Sequence, residues 1–213
     1  MADFVHLAIL GSTFAVIFPA ELPDKSFIAT LVLATRYRRL PVWLGAVAAF
    51  GLQMVIAVAA GKLLSLLPRT PVLAVSAVMF AVGAAVLIRG GMRGREASRA
   101  EEAEEEAEVQ AQTGGAEAAT QSSVRVFLLA FGVLFAAEWG DITQLVTAGL
   151  AATSGSPVSV FAGSWLALSS VAGIGVLSGA WLRNRVPLWR IRWISGIALA
   201  IIAVLTIIEL VRS

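Results

Sequence analysis

Two short polar stretches stand 117 positions apart in otherwise apolar sequence: Glu21-Leu22-Pro23-Asp24-Lys25-Ser26 and Glu138-Trp139-Gly140-Asp141-Ile142-Thr143. Each holds two carboxylates and a hydroxyl. A charge at the centre of a bilayer costs about 2.5–3.5 kcal/mol on the insertion scale, so four carboxylates carry roughly 10–14 kcal/mol of penalty. That matches the whole stability of a typical domain, about 5–15 kcal/mol. Such groups persist only where they face one another, water or a bound cation. Carboxylate, hydroxyl and carbonyl oxygens suit a hard divalent ion such as Mg²⁺, Ca²⁺ or Mn²⁺. The chain has no cysteine and one histidine, His6, which argues against Zn²⁺ and Cu⁺ and removes disulfides and thiolate nucleophiles. The metal-site candidates are therefore Glu21, Asp24, Ser26, Glu138, Asp141 and Thr143, with Gln144 able to add an amide oxygen beside Asp141.

On a continuous helix the Glu and Asp of each motif, three positions apart, share a face. Pro19 and Pro23 remove backbone donors and favour a kink or an unwound turn that frees carbonyl oxygens, and Gly140 in the place of Pro23 allows a bend or close backbone approach. Four clustered carboxylates cannot all stay ionised once a cation leaves, so protons would take its place. That is a physical basis for exchange. Lys25 fits a salt-bridge partner for Glu21 or Asp24 better than a neighbour of the metal. Ser26, Thr143, Thr30 and Thr147 fit either ligation or a bond to their own helix carbonyls.

The elements that must position these groups are membrane helices. With 58% hydrophobic and 14% charged residues and a mean hydropathy of +0.85, the chain is too apolar for a soluble domain. Six runs approach or exceed the roughly 20 residues a span requires: Phe4 to Thr35, Pro41 to Leu67, Pro71 to Ile88, Val124 to Ala152, Pro157 to Leu182 and Leu188 to Val211. The first opens with Asp3 rather than a basic region, unlike a signal peptide. The fold class expected is an all-α membrane protein. Phe14, Val16 and Phe18 align with Phe131, Val133 and Phe135, and Thr30 and Ala34 with Thr147 and Ala151, at the motif spacing. Two halves of three helices each, an odd number, imply inverted repeats with a binding site at the midplane. The divisions are residues 1–89, an acidic linker 90–123 and residues 124–213. Gly175 and Gly179 in the fifth run, and the Ala/Gly-rich stretch from Gly45 to Gly61 in the second, read as close-packing faces.

Basic residues crowd three loops: Arg36, Arg38 and Arg39, then Arg89, Arg93, Arg95, Arg99 and Arg125, then Arg183, Arg185, Arg190 and Arg192. The other side holds Lys62, Arg69 and Arg212. By the positive-inside rule those loops, and the linker, are cytoplasmic and both termini lie outside. Trp43, Trp181, Trp189 and Trp193 fit a cytoplasmic interfacial belt, and Glu209 a water-facing position. Because the positive charge sits at helix ends, nucleic-acid binding is not expected despite the basic pI near 9.7. The linker gathers eight of the fourteen acidic residues and reads as a solvated tether, with weak cation sensing as the alternative. No organelle-targeting segment precedes the first run, and two Lys against fourteen Arg points to a GC-rich bacterial source, so a bacterial plasma membrane is expected.

The doubled motif resembles E-x-G-D-[KR]-[ST], the pattern of the Gdt-type cation/manganese transporter family, related to the lysine-exporter superfamily. The resemblance implies a six-helix secondary transporter exporting Mn²⁺ or Ca²⁺, in exchange for protons, with both motifs forming one central site. It implies no enzyme activity and no cofactor beyond the transported ion; the partners are divalent ions, protons and the bilayer. Pro23 departs from the motif glycine, Phe27 from the first glutamine and Ile142 from the second basic residue. Export of a small cationic solute such as an amino acid, and a non-transporting scaffold or sensor built on the acidic loop, are the alternatives.

Overall fold

The computed structural model describes residues 6–22, 24–93, 100, 103–104, 107–111, 122–185 and 188–212, with backbone alone for 178–185 and 188–192. Those residues are helical, with no strand among them. The order is α1 Leu7–Glu21, α2 Lys25–Arg36, α3 Arg39–Leu64, α4 Arg69–Met92, α5 Ser123–Ala137, α6 Ile142–Thr153, α7 Pro157–Arg185 and α8 Leu188–Arg212. Four of these are long and apolar enough to cross a membrane: α3, α4, the Pro157–Leu177 part of α7 and the Trp193–Arg212 part of α8. The pairs α1 and α2, bent by 66°, and α5 and α6, bent by 76°, pass the same test only when each pair is taken together. The protein is thus multi-pass, with four to six spans.

Local chemistry explains the breaks. Pro19 lies inside α1 and leaves its last turn short of a backbone donor. Asp24 then accepts the Lys25 backbone N–H at 2.7 Å, capping α2, and Asp141 accepts the Thr143 N–H at 3.4 Å, capping α6. Gly140 holds φ at +77°, the left-handed region that a side chain disfavours. Pro23 lies outside the described residues. The motif carboxylates therefore do not share one helical face, as a continuous helix would require. Each Glu closes the entering helix and each Asp opens the leaving one.

Each broken pair packs against a long helix of the other half of the chain: α1 and α2 against α7, and α5 and α6 against α3. A Cβ on Gly45 of α3 would sit 2.5 Å from the Phe127 carbonyl oxygen, and one on Gly163 of α7 would sit 2.6 Å from that of Leu10. The packing faces expected at Gly45–Gly61 and Gly175 are real contacts, since Gly61 meets Ala148 and Gly175 meets Thr30. Gly179 lies outside the described side chains. α3 and α7 are tied by Trp43 Nε1 to the Ser169 carbonyl, 3.0 Å, and Trp165 Nε1 to the Val47 carbonyl, 2.9 Å. Trp43 thus bridges two helices, Trp193 is about half exposed, and Trp181 and Trp189 lie outside the described side chains. α4 lies along α8, and this pair leans on α6 and α1. Their outer faces expose Val75, Val78, Val82, Ile201, Val204 and Leu205, an apolar girdle suited to lipid. Arg69 and Glu209 form an exposed ion pair joining the start of α4 to the end of α8. Apart from Gly90 to Met92 in α4 and Ser123 in α5, most of the acidic linker lies outside the described residues.

Candidate metal centre

Glu21, Glu138 and Asp141 each offer a carboxylate oxygen, and the three oxygens lie within 4.8 Å of one another. Glu21 and Glu138 are buried, at 0% and 3% exposure, and Asp141 is half-buried. They meet because the two helix breaks face each other inside the bundle. The carbonyl ends of α1 and α5, where Glu21 and Glu138 stand, carry the negative ends of their helix dipoles, which favour a cation.

The hydroxyls divide their work unequally. Ser26 Oγ donates to Glu21 Oε2 at 3.1 Å, and Thr143 Oγ1, from the other motif, donates to Glu21 Oε1. Glu21 is thus held by one hydroxyl from each half. Glu138 Oε1 is buried with no hydrogen-bond partner. A buried carboxylate oxygen with no donor, beside two other carboxylates, can accept a cation or a proton. Thr30 donates to its own helix carbonyls at Ser26 and Phe27, both at 2.9 Å, and Thr147 pairs with Ser164 at 3.2 Å, so these two threonines serve packing.

Two other sequence-predicted residues are tied to the helix breaks themselves. Asp24 is half-buried at the N-cap of α2 and is not one of the three converging carboxylates. Gln144 turns its Oε1 to the Gly140 backbone N–H, at 3.1 Å, and leaves its Nε2 buried without a partner. Lys25 is exposed, and its backbone N–H bonds the Asp24 carboxylate.

Sequence reasoning passed over Gln53. This residue of α3 is 1% exposed, donates from Nε2 to the Phe135 carbonyl at 2.8 Å, and has a buried, unpartnered Oε1. The signal was present: Gln53 is the one amide in the Ala/Gly-rich stretch from Gly45 to Gly61.

These features define a multi-pass helical membrane protein with a carboxylate cluster buried between two broken helices. The family described as "Divalent cation/proton antiporter GDT1" matches residues 9–95 and 126–213, and the chain belongs to it. It is 28% identical over 211 residues to "Protein PAM71, chloroplastic" of Arabidopsis thaliana, covering 94% of this chain and 57% of that protein. It is 27% identical over 187 residues to "GDT1-like protein sll0615" of Synechocystis, covering 88% of this chain and 90% of that one. The rice "GDT1-like protein 2, chloroplastic" is 28% identical over 173 residues, covering 72% of this chain and 47% of that protein. The chain therefore spans about half the length of the plant relatives and nearly all of the cyanobacterial one. No solved structure matches it.

Proposed function

We propose that this chain exports divalent cations in exchange for protons, Mn²⁺ foremost and Ca²⁺ next, through one midplane site built by both halves. The observation that carries the proposal is the convergence of Glu21, Glu138 and Asp141 at two facing helix breaks. A divalent ion offsets their mutual repulsion, and when it leaves, protons must take over that task. Loading by one therefore expels the other. Ser26 and Thr143 orient Glu21 and can lend oxygen to the ion, while Asp24 and Asp141 cap the leaving helices and Gln144 braces the Gly140 turn. Oxygen-only coordination favours hard ions, and the family resemblance puts Mn²⁺ first.

The same reading makes the chain six spans arranged as two inverted repeats, residues 1–89 and 124–213, joined by the linker 90–123. Its support is a packing correspondence. Gly45 meets Phe127, Ala130 and Phe131, whereas Gly163 meets Leu10, Thr13 and Phe14, the three positions 117 residues earlier. The arginine-rich loops and linker face the cytoplasm, both termini face outward, and the membrane is a bacterial plasma membrane. The test is proton movement in proteoliposomes under an imposed pH gradient, with Mn²⁺, Ca²⁺, Mg²⁺ or lysine added in turn. Flux with Mn²⁺ or Ca²⁺ that disappears in Glu138→Gln is expected. A response to lysine alone, or none at all, would overturn exchange.

A further inference from the structure

The hydrogen bonding of Gln53 leaves no freedom in its amide. The Phe135 carbonyl can only accept, so the atom 2.8 Å from it must be the NH₂ group, and the amide oxygen must point away. That oxygen is buried and unpartnered, as is Glu138 Oε1. With Glu138 ionised, both atoms are acceptors, and each lacks a donor or a cation.

Position supports the pairing. Phe135 lies in the last turn of α5, three residues before Glu138, and the neighbour of Gln53, Met54, receives the Thr147 hydroxyl of α6 at 3.5 Å. α3 thus crosses the α5–α6 break at the level of Gln53. Meanwhile the glutamine inside the motif, Gln144, spends its oxygen on the Gly140 N–H. The unpartnered amide oxygen beside the end of α5 comes from α3 instead.

We propose that Gln53 is a ligand-supplying residue of the cation site, giving a neutral oxygen to the ion held by Glu138. This rests on the divalent-cation reading above. It also makes the site lopsided, because the residue that the Gly45–Gly163 correspondence sets opposite Gln53 is Val171, an apolar side chain buried at 1% exposure.

The test is equilibrium binding of Mn²⁺ and of Ca²⁺ to the full chain in nanodiscs, for wild type, Glu138→Gln, Gln53→Met and Gln53→Glu. Methionine keeps the volume and removes the oxygen; glutamate keeps an oxygen and loses the donor to Phe135. Affinity is expected to fall about tenfold or more in Gln53→Met, the scale on which residues supporting a metal site are felt. Gln53→Glu is expected to bind at least as tightly as wild type. If Gln53→Met binds within twofold of wild type, or if Gln53→Glu is weakened too, Gln53 only anchors Phe135 and the inference fails. Should Gln53→Met not fold, the glutamate variant decides alone. If folded wild type binds neither ion, it is the carboxylate site itself that fails, and Gln53 as a ligand falls with it.

Discussion

Replacing Glu138 by glutamine should make the cation-free protein more stable while removing its response to divalent ions. Three unit charges within 4.8 Å of one another repel by about 3.5 kcal/mol per pair at an effective dielectric near 20, roughly 10 kcal/mol together. Neutralising Glu138 deletes two of the three pairs and so relieves up to about 7 kcal/mol in the fully ionised cluster, an upper bound because protons already relieve part of it. In wild type, a cation at a hundred times its dissociation constant adds about 2.7 kcal/mol. For a chain of this size that is roughly 5–10 °C in Tm. The assay is thermal unfolding of detergent-solubilised protein, followed by the fluorescence of its six tryptophans, with chelator or with Mn²⁺ or Ca²⁺. Wild type should gain that shift. Glu138→Gln should gain less than about 2 °C, from a cation-free Tm above that of wild type. If the variant instead starts several degrees lower and keeps the full shift, Glu138 is a structural hydrogen-bonding group and the electrostatic argument is wrong.

Three further outcomes test the architecture. Gly45→Ala and Gly163→Ala should each cost about 1–3 kcal/mol or prevent folding, since the added methyl meets backbone oxygen at 2.5 and 2.6 Å; Gly11→Ala, with open space around it, should leave Tm and the monodisperse fraction unchanged. Gly140→Ala should destabilise by about 1–2 kcal/mol because its φ of +77° is left-handed, with Gly140→Asn milder, as thermal unfolding will read. The chain has no cysteine, so single Ser154→Cys and Glu104→Cys variants should react with a membrane-impermeant maleimide from opposite sides of the membrane; labelling from the same side would refute the inverted arrangement.

Much of the scaffold was legible because membrane helices announce themselves by length. The second, third, fifth and sixth runs each became one helix, with ends shifted by a few residues. The first and fourth did not, and the reason lies in capping. Composition sees an apolar stretch of 32 residues from Phe4 to Thr35, but not that Asp24 prefers to accept a backbone N–H. Where Pro19 and Pro23 pointed to a kink or unwound turn, and Gly140 to a bend or close approach, each helix breaks in two. Of the four predicted carboxylates three converge, and the doubled motif was the signal that found them. What spacing could not reveal was the sharing of hydroxyls: Thr143, which could equally have bonded its own helix carbonyls, reaches across to Glu21. Gln53 escaped because a single polar residue in an apolar run has no period. Its meaning comes from the Phe135 carbonyl that the α5 break leaves for it.

A doubled motif does not by itself make an exchanger. Two identical half-sites would hold their carboxylates alike, and an ion would find no reason to bind one before the other. Here divergence falls on the residues that surround the breaks. Glu21 takes a hydroxyl from each motif and is satisfied on both oxygens, whereas Glu138 keeps one oxygen bare. In the proposed repeat alignment Phe27 corresponds to Gln144, Pro23 to Gly140 and Val171 to Gln53. The two amides without a counterpart both bond backbone at the second break. On this reading Glu21 is the fixed pole of the cluster and Glu138 the group that trades a cation for a proton. Glu138 is followed by the exposed Trp139 and the left-handed Gly140 turn. A variant that frees Glu21, Thr143→Val, should therefore weaken cation retention by removing a donor that orients the cluster. It should leave coupling to protons intact, since the bare oxygen of Glu138 remains. Proton flux per Mn²⁺ moved in proteoliposomes checks this: a changed ratio would assign the exchange step to Glu21 instead.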